Sequence, residues 1–218
     1  MNGILVIDKP KEWTSFDVVA KLRNKLGVKK IGHTGTLDPM ATGVLVLCLG
    51  SATKKVQEMT GYDKEYIAEI TFGATTVTDD AESEIIFSPN AEKKSRDEVE
   101  AALKKFEGEI EQVPPQFSAK KVNGKRAYAM ARKGQEVKLE PVKVKVYEIE
   151  ILDFQWPVIR LRVLSGKGFY VRSLARDLGK MLGVGGYLSA LQRTKVGPYT
   201  LKQATTIEEA SADSVLPI

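Results

Sequence analysis

The chain has 218 residues, 43% of them hydrophobic, enough to bury a sizeable core in one large domain, which sets it apart from disordered sequences. One Cys excludes an internal disulfide framework, and one Cys with one His argues against a Cys/His zinc site. The net charge is +5 and the isoelectric point about 9.1, a modest excess of base whose distribution says more than its size. No apolar run approaches the roughly 20 residues of a membrane helix. Nothing basic precedes the first apolar run, as a signal peptide would require. A cytoplasmic protein with no membrane partner is expected.

In chain order, Gly3 to Ile7 reads as a short buried strand. Ser15 is a plausible N-cap for a helix carrying Val18, Val19, Leu22 and Leu26 on one face and stopped by Gly27. Gly43 to Leu49 is apolar throughout, a buried strand in which Cys48 is inert core. From Glu65 to Phe72 the residues alternate, with Tyr66, Ala68, Ile70 and Phe72 on one side. Ser95 and Glu98 form a capping-box pattern ahead of Val99, Ala102, Leu103 and Phe106. Val113 to Gln116, with two prolines, breaks regular structure, and Arg126 to Arg132 suits one short helix ended by Gly134. Pro141 to Phe154 and Val158 to Leu164 read as consecutive strands, with Val142, Val144, Val146 and Ile149 in the core. Tyr170 to Leu182 has helical spacing in Leu174, Leu178, Met181 and Leu182. Strands adjacent in sequence, mixed with helices, predict an α+β (mixed α/β) fold with a largely antiparallel sheet.

Charge is segregated along the chain. Between Ser118 and Val146 there are nine basic residues, including Lys120, Lys121, Lys125, Arg126 and Arg132, against two acids. From Arg160 to Arg176 there are five basic residues and no acid, whereas Asp79 to Gln112 holds eleven acids against five bases. Basic segments of this kind suit a polyanion, because Lys and Arg displace the counterions of phosphates. Ordinary solvated faces would give a similar count.

Two clusters carry most of the unusual chemistry. In Gly32-His33-Thr34-Gly35-Thr36-Leu37-Asp38-Pro39-Met40-Ala41-Thr42-Gly43, glycines permit close backbone approach and Pro39 biases Asp38 toward an extended or turn conformation. The carboxylate then sits on a constrained loop ahead of a buried strand, as a nucleophile requires. In isolation, Asp38 would read as an ordinary turn residue. The second cluster runs from Ser165 to Gly179, where Tyr170 and Arg172 stand at a helix start and could stack on a base and pair with a carboxylate. No phosphate loop ending in Gly-Lys-Ser/Thr and no Gly-x-Gly-x-x-Gly fingerprint is present, and any histidine-based triad would have to use His33.

Taken together the clusters resemble the TruB-type tRNA pseudouridine synthases. The loop Gly32 to Pro39 is similar to the signature of that family, and further blocks follow in order. These are Asp8-Lys9-Pro10 with Thr14-Ser15, Lys64-Glu65-Tyr66, Thr78-Asp79-Asp80, Val113 to Lys121, Gly168-Phe169-Tyr170-Val171-Arg172 and Leu191-Gln192-Arg193-Thr194. The resemblance spans roughly residues 3 to 200. It implies the pseudouridine synthase fold, one catalytic domain over 1–218 and conversion of uridine 55 in the tRNA T loop to pseudouridine. It also implies base flipping and no cofactor. Asp38 matches the family's nucleophile, Arg172 the arginine that pairs with it, and Tyr66 the tyrosine packed on the target base. Tyr170 and Leu191 match further base-pocket residues, Lys9 a lysine near the active site, and Asp80 an acidic position that organises it. His33 matches a histidine lying against the nucleotides displaced from the T loop, rather than a base.

The basic stretch at about 113–141 corresponds to an insertion that closes over the RNA arm, with Gly124 and Gly134 allowing movement and Lys120, Lys121, Lys125, Arg126 and Arg132 facing the backbone. Val77 and Ser83 depart from residues frequent in the family, which often shows a polar or acidic residue and a glycine there. Bacterial relatives usually continue past a segment like Ser214 to Ile218 into a C-terminal RNA-binding module, which is expected to be absent here. The partner implied is the T-arm stem-loop of tRNA, with the enzyme a monomer. A non-catalytic RNA-binding protein on the same fold and a small-molecule enzyme are the alternatives. The presence of Asp38, Tyr66 and Arg172 favours the enzyme over the first, and the basic segments disfavour the second.

Overall fold

The computed structural model describes residues 1–118, 120–122, 125–131 and 137–218. In chain order the strands are β1 (Gly3–Lys9), β2 (Ile31–His33), β3 (Thr42–Leu49), β4 (Lys64–Phe72), β5 (Ala74–Thr76), β6 (Ile85–Phe87) and β7 (Gly108–Gln112). They continue with β8 (Lys121–Val122), β9 (Lys125–Arg126), β10 (Val142–Gln155), β11 (Val158–Ser165), β12 (Gly186–Val196) and β13 (Tyr199–Thr200). The helices are α1 (Ser15–Lys25), α2 (Val56–Thr60), α3 (Arg96–Leu103), α4 (Ala127–Ala131) and α5 (Val171–Met181). Two compact units result: residues 1–67 with 191–218, and residues 68–190. Mixed helices and mostly antiparallel strands agree with the α+β expectation.

In the first unit, β1 and β3 pair antiparallel along their whole length, from Gly3 opposite Leu49 to Lys9 opposite Gly43. Alternation sends their side chains to two separate clusters. Leu5, Ile7, Leu45, Leu47 and Leu49 pack with Val18, Val19 and Leu22 of α1, while Ile4, Val6, Val44, Val46 and Cys48 pack with Met59 and Val196. A strand covered on both faces has no reason to alternate, which is why these two runs are apolar throughout. The C-terminal end of β12 lies parallel to β3, with Gln192 opposite Thr42 and Arg193 opposite Gly43. Gly43 has φ +98, and a Cβ there would collide with the Arg193 carbonyl, so only glycine permits this approach.

The second unit holds the rest of β4 with β11, β10 and β7 in that order, β10 being antiparallel to both of its neighbours. Buried Ala68, Ile70, Phe72, Ile159, Leu161 and Val163 face inward from the strands, and Leu174, Ala175 and Leu178 from α5. A small separate core forms from Ala127, Val137 and Leu139 against Met130. Gln116 ties it down by donating to the Val137 carbonyl at 2.8 Å and accepting from the Val137 amide at 3.1 Å.

Several boundaries differ from the sequence expectation for physical reasons. The N-cap of α1 is Thr14, not Ser15, because Thr14 and Asp17 complete the reciprocal capping box. Ser15 is buried in the first turn instead. In β10, Val144 and Val146 are buried, but Val142 and Ile149 are only half-buried. A register shift between Val146 and Glu148 moves the covered side of the strand from even to odd positions, so Ile149 and Ile151 are the partly buried residues beyond it. Met181, at the last turn of α5, is 46% exposed rather than core. Strands β2, β5, β6, β7 and the long β12 are additions.

Substituting Gly43→Ala should cost about 2 kcal/mol or more, since the new methyl meets backbone and the left-handed φ strains any other residue. A urea-unfolding midpoint within 0.5 kcal/mol of wild type would show that β3 and β12 are not so tightly apposed.

Candidate active site

The loop bearing Asp38 is braced from several directions within the first unit. The buried Thr34 amide donates to the Val46 carbonyl at 3.1 Å, and the Ala41 amide closes a turn on the Asp38 carbonyl at 3.1 Å. Leu37 inserts into the α1-side core. Buried Ser15 holds the same residue by its backbone: its Oγ accepts from the Leu37 amide at 2.9 Å and donates to the Leu37 carbonyl at 3.2 Å. Ser15 thus ties the first turn of α1 to the loop.

Lys9, at the end of β1, has no exposed surface. A buried ammonium must find acceptors, and its Nζ donates to the carbonyls of Pro10 at 2.9 Å, Trp13 at 2.5 Å and Pro39 at 3.3 Å. Pro39 also accepts from the Glu12 amide at 2.8 Å. Lys9 therefore grips the loop one residue beyond Asp38.

On the other side stands Arg193, 2% exposed. Its Nε donates to the Val44 carbonyl at 2.8 Å, Nη1 to Thr36 at 3.4 Å and Nη2 to Gly35 at 3.1 Å. Its charge also reaches Tyr66, Asp38 and His33. Tyr66 is buried on the inward face of β4, as its alternation predicts. Burial pushes its phenol up from the ordinary value, and the nearby charge of Arg193 pulls it back. Burial also drives the Arg193 guanidinium down, opposed by Tyr66 and Asp38. His33 closes β2, its buried Nδ1 without a hydrogen-bond partner among the described residues; burial first, then Arg193, lowers its pKa, favouring the neutral ring. Leu191 packs against the same core as Leu37.

Lys9, His33, Asp38, Tyr66 and Leu191 thus fall in the first unit, and Asp80, Tyr170 and Arg172 in the second. There Asp80 is 1% exposed and Arg172 is buried beside it, Nη1 lying 3.5 Å from its Oδ2. Arg172 also donates to the carbonyls of Thr78 at 3.2 Å and Phe117 at 3.0 Å. The Asp80 carboxylate organises its own turn, accepting from Thr78 Oγ1 at 2.5 Å and from the Glu82 amide at 3.0 Å. Ser83, one of the departures, supports that turn by bonding Thr78 at 2.8 Å. Exposed Val77 makes the other departure a surface one. One helical turn beyond Arg172, Arg176 pairs with Asp79 at 3.0 Å and donates to the Val113 carbonyl at 2.8 Å. Gln112 accepts from the Tyr170 amide at 2.8 Å and donates to its carbonyl at 3.1 Å, fixing the start of α5.

Of the basic residues expected on the RNA side, Lys120 is exposed. Lys121, Lys125 and Arg126 are described by their backbone, in the β8–β9 hairpin. Arg132, Gly124 and Gly134 lie outside the described residues. The described helix Ala127–Ala131 agrees with the helical expectation for 126–132. No group of metal-ligating side chains occurs among the described residues, and none of their helices is long and apolar enough to cross a membrane.

Sequence reasoning missed Arg193, although the residue sits in a quoted motif, because nothing in one sequence marks an arginine as buried. It also missed Ser15 and Gln112 as braces.

Two measurements check this geometry. Ser15→Ala removes both bonds to Leu37 and should lower stability by about 1–2 kcal/mol by denaturant titration; an unchanged midpoint would remove Ser15 as a brace. For His33 the lowered folded pKa means that the unfolded chain takes up the proton first. The stabilising contribution is complete above about pH 6.5 and is lost as pH falls toward the lowered folded value. Proton NMR of this single imidazole should titrate below 6.5, and the extra acid sensitivity should vanish in His33→Gln.

Comparisons with known proteins agree with one another. The TruB family pseudouridylate synthase N-terminal domain matches residues 23–171, and the tRNA pseudouridylate synthase B C-terminal domain matches 172–215. The tRNA pseudouridine synthase B of Symbiobacterium thermophilum is 50% identical over 215 residues, 97% of this chain and 72% of that one. Its counterpart in Phocaeicola vulgatus is 50% identical over 94% of this chain and 90% of that one. Among solved structures, a chain of a Cbf5-Nop10-Gar1 complex superposes with TM-score 0.75 at 33% identity, covering 95% of this chain and 53% of that one. A chain of an H/ACA RNP bound to a substrate RNA containing 2′-deoxyuridine gives 0.71 at 30% identity, over 95% and 51%. This chain spans about half the length of those solved chains. By motif, by fold and by relatedness over nearly its whole length, the chain belongs to the TruB family of pseudouridylate synthases.

Proposed function

We propose that the protein is a tRNA pseudouridine synthase that isomerises uridine 55 in the T loop of tRNA. The observation that carries the reading is Asp38, held on a loop gripped on one side by Lys9 and on the other by Arg193, with Tyr66 against the same guanidinium. The naming of relatives at 50% identity as tRNA pseudouridine synthase B supports the substrate.

The uridine is stacked inside folded RNA and must be extruded to be reached. Asp38 attacks the extruded nucleotide and bonds to it, the bond from N1 to C1′ breaks, the uracil turns, C5 is joined to C1′, and the bond to Asp38 breaks to regenerate the carboxylate. The proton on C5 leaves and N1 ends protonated, so atoms and electrons balance within the substrate and the reaction calls for no cofactor. Tyr66 packs on the base and assists removal of the C5 proton. Lys9 serves by holding Pro39 in place. A neutral His33, favoured by its burial, suits stacking against displaced bases. Leu191 belongs to the reading as a pocket wall, and Tyr170, Arg172 and Asp80 enter it through the family resemblance. Exposed Lys120 and the basic segment around it are assigned to the RNA backbone.

Tritium release from C5-labelled uridine in a T-arm stem-loop tests the reading. Wild type should release tritium, and Asp38→Asn should lose at least about 10³-fold in rate, since a displaced nucleophile has no substitute in the site. RNA binding without release by wild type would favour a non-catalytic RNA-binding protein.

A further inference from the structure

Strand β1 stands at the end of its sheet, with β3 on one side. Its run Ile4-Leu5-Val6-Ile7 is apolar, β-branched at three of four positions and free of charge and proline, a composition that pairs readily with another strand. Alternation turns the backbone groups of Leu5 and Ile7 toward β3 and those of Ile4, Val6 and Asp8 outward. Left open, such an edge is a template for a strand from another molecule. Here it is covered from both ends by the segment from Thr205 to Leu216. Leu216 accepts from the Ile4 amide at 2.9 Å and donates to the Ile4 carbonyl at 2.8 Å. Thr205 donates to the Val6 carbonyl at 3.0 Å and accepts from the Asp8 amide at 3.0 Å. The two contacts run in opposite senses, antiparallel at Leu216 and parallel at Thr205. Single bridges of opposite sense form no strand that a neighbour could extend, whereas a full added strand would merely move the open edge outward.

Between its two anchors the segment leaves the edge and returns, and its side chains reach both faces of β1. Ile207 and Ala210 are buried in the cluster of Leu5 and Ile7, and Leu216 packs on the cluster of Ile4 and Val6. Lys25, in the last turn of α1, donates to the Ile207 carbonyl at 3.0 Å and to the Glu208 carbonyl. The Ala210 amide closes a turn on the Thr206 carbonyl at 3.0 Å, and the Ser214 amide another on the Ser211 carbonyl at 3.2 Å. The seat on β1 is shaped for this segment: a Cβ at Gly3, whose φ is +152, would stand 2.4 Å from the Leu216 carbonyl oxygen. We propose that residues 205–216 are a strap that masks a docking edge, and that the occupant it keeps out is β1 of a second copy of the chain. The sequence of β1 suits itself. In an antiparallel pair centred on Val6, Leu5 meets Ile7, and Asp8 and Lys9 meet Ile4 and Gly3, so no like charges are opposed. Such a pair is isologous and closes as a two-fold dimer.

The test uses the full chain carrying Thr205→Pro with Leu216→Pro, which removes both strap donors to β1. In sedimentation equilibrium the double variant should self-associate at least about tenfold more tightly than wild type. Amide hydrogen exchange locates the contact. In wild type the Ile4 and Asp8 amides should be protected along with those of Leu5 and Ile7. In the dilute double variant Ile4 and Asp8 should exchange at least about 100-fold faster while Leu5 and Ile7 stay protected by β3, and raising the protein concentration should restore the protection of Ile4 and Asp8. The proposal is overturned if Ile4 and Asp8 stay protected when dilute, if they are released without a gain in association, or if association leaves them exchanging freely. Loss of protection at Leu5 and Ile7 as well would mean that the double variant has unfolded, and Gly3→Ala then carries the test. Its methyl displaces the Leu216 anchor alone, so the Ile4 amide should exchange at least about tenfold faster and association should rise with it. A protected Ile4 amide or unchanged association in Gly3→Ala overturns the proposal.

Discussion

Two of the buried cations of the first unit, Lys9 and Arg193, govern the loop that carries Asp38. Lys9 and Arg193 have given up water, so the donors of each must be satisfied by carbonyl oxygen. The carbonyls they find flank Asp38: Pro39 for the lysine, Gly35 and Thr36 for the arginine. The loop geometry is therefore over-determined. Moving it would strand a buried charge, a penalty of several kcal/mol that few loop rearrangements could offset. The apolar packing of Leu37 and the paired bonds of Ser15 work in the same direction with ordinary strength.

The second unit uses acid–base pairing to similar ends. Neighbouring Asp79 and Asp80 on one tight turn meet Arg176 and Arg172, one helical turn apart on α5. The same two arginines donate to Val113 and Phe117, at the start of the basic segment. Asp79 adopts φ +62, a left-handed conformation that aspartate tolerates better than most side chains, and this lets consecutive carboxylates serve different arginines. The turn, the helix and the base of the basic segment thus share one network, in which any one element held correctly helps to hold the others.

Much of this was legible in the sequence where a single physical cause dominates. The strand β4 follows from plain alternation, α3 from its capping box, and β3 from an apolar run too short for anything but a buried strand. Legibility failed where two causes compete. Thr14 and Ser15 are both good caps; the box with Asp17 selects Thr14, and Ser15 is engaged instead by Leu37, 22 residues away. The phase of β10 flips at a register shift that leaves no local mark. Strand β12 reads as mixed polar sequence, because its residues answer to the neighbours they meet rather than to one face. The site shows the same pattern: Asp38 and Tyr66 stand out by motif and period, whereas the buried state of Lys9 and Arg193 depends on contacts distant in sequence.

The parallel register of β3 with β12 joins residues about 150 positions apart, and through it the first and last segments of the chain share one compact unit. During synthesis the ribosome must therefore add about 150 residues after β3 before Arg193 can emerge and close the brace. Until then Gly35 and Thr36 have no guanidinium to meet, and Asp38 is carried on an unsupported loop. The Asp38 loop thus acquires its full support only after the second unit has had the opportunity to fold, and a nascent chain that stops short of Arg193 carries the loop without that support.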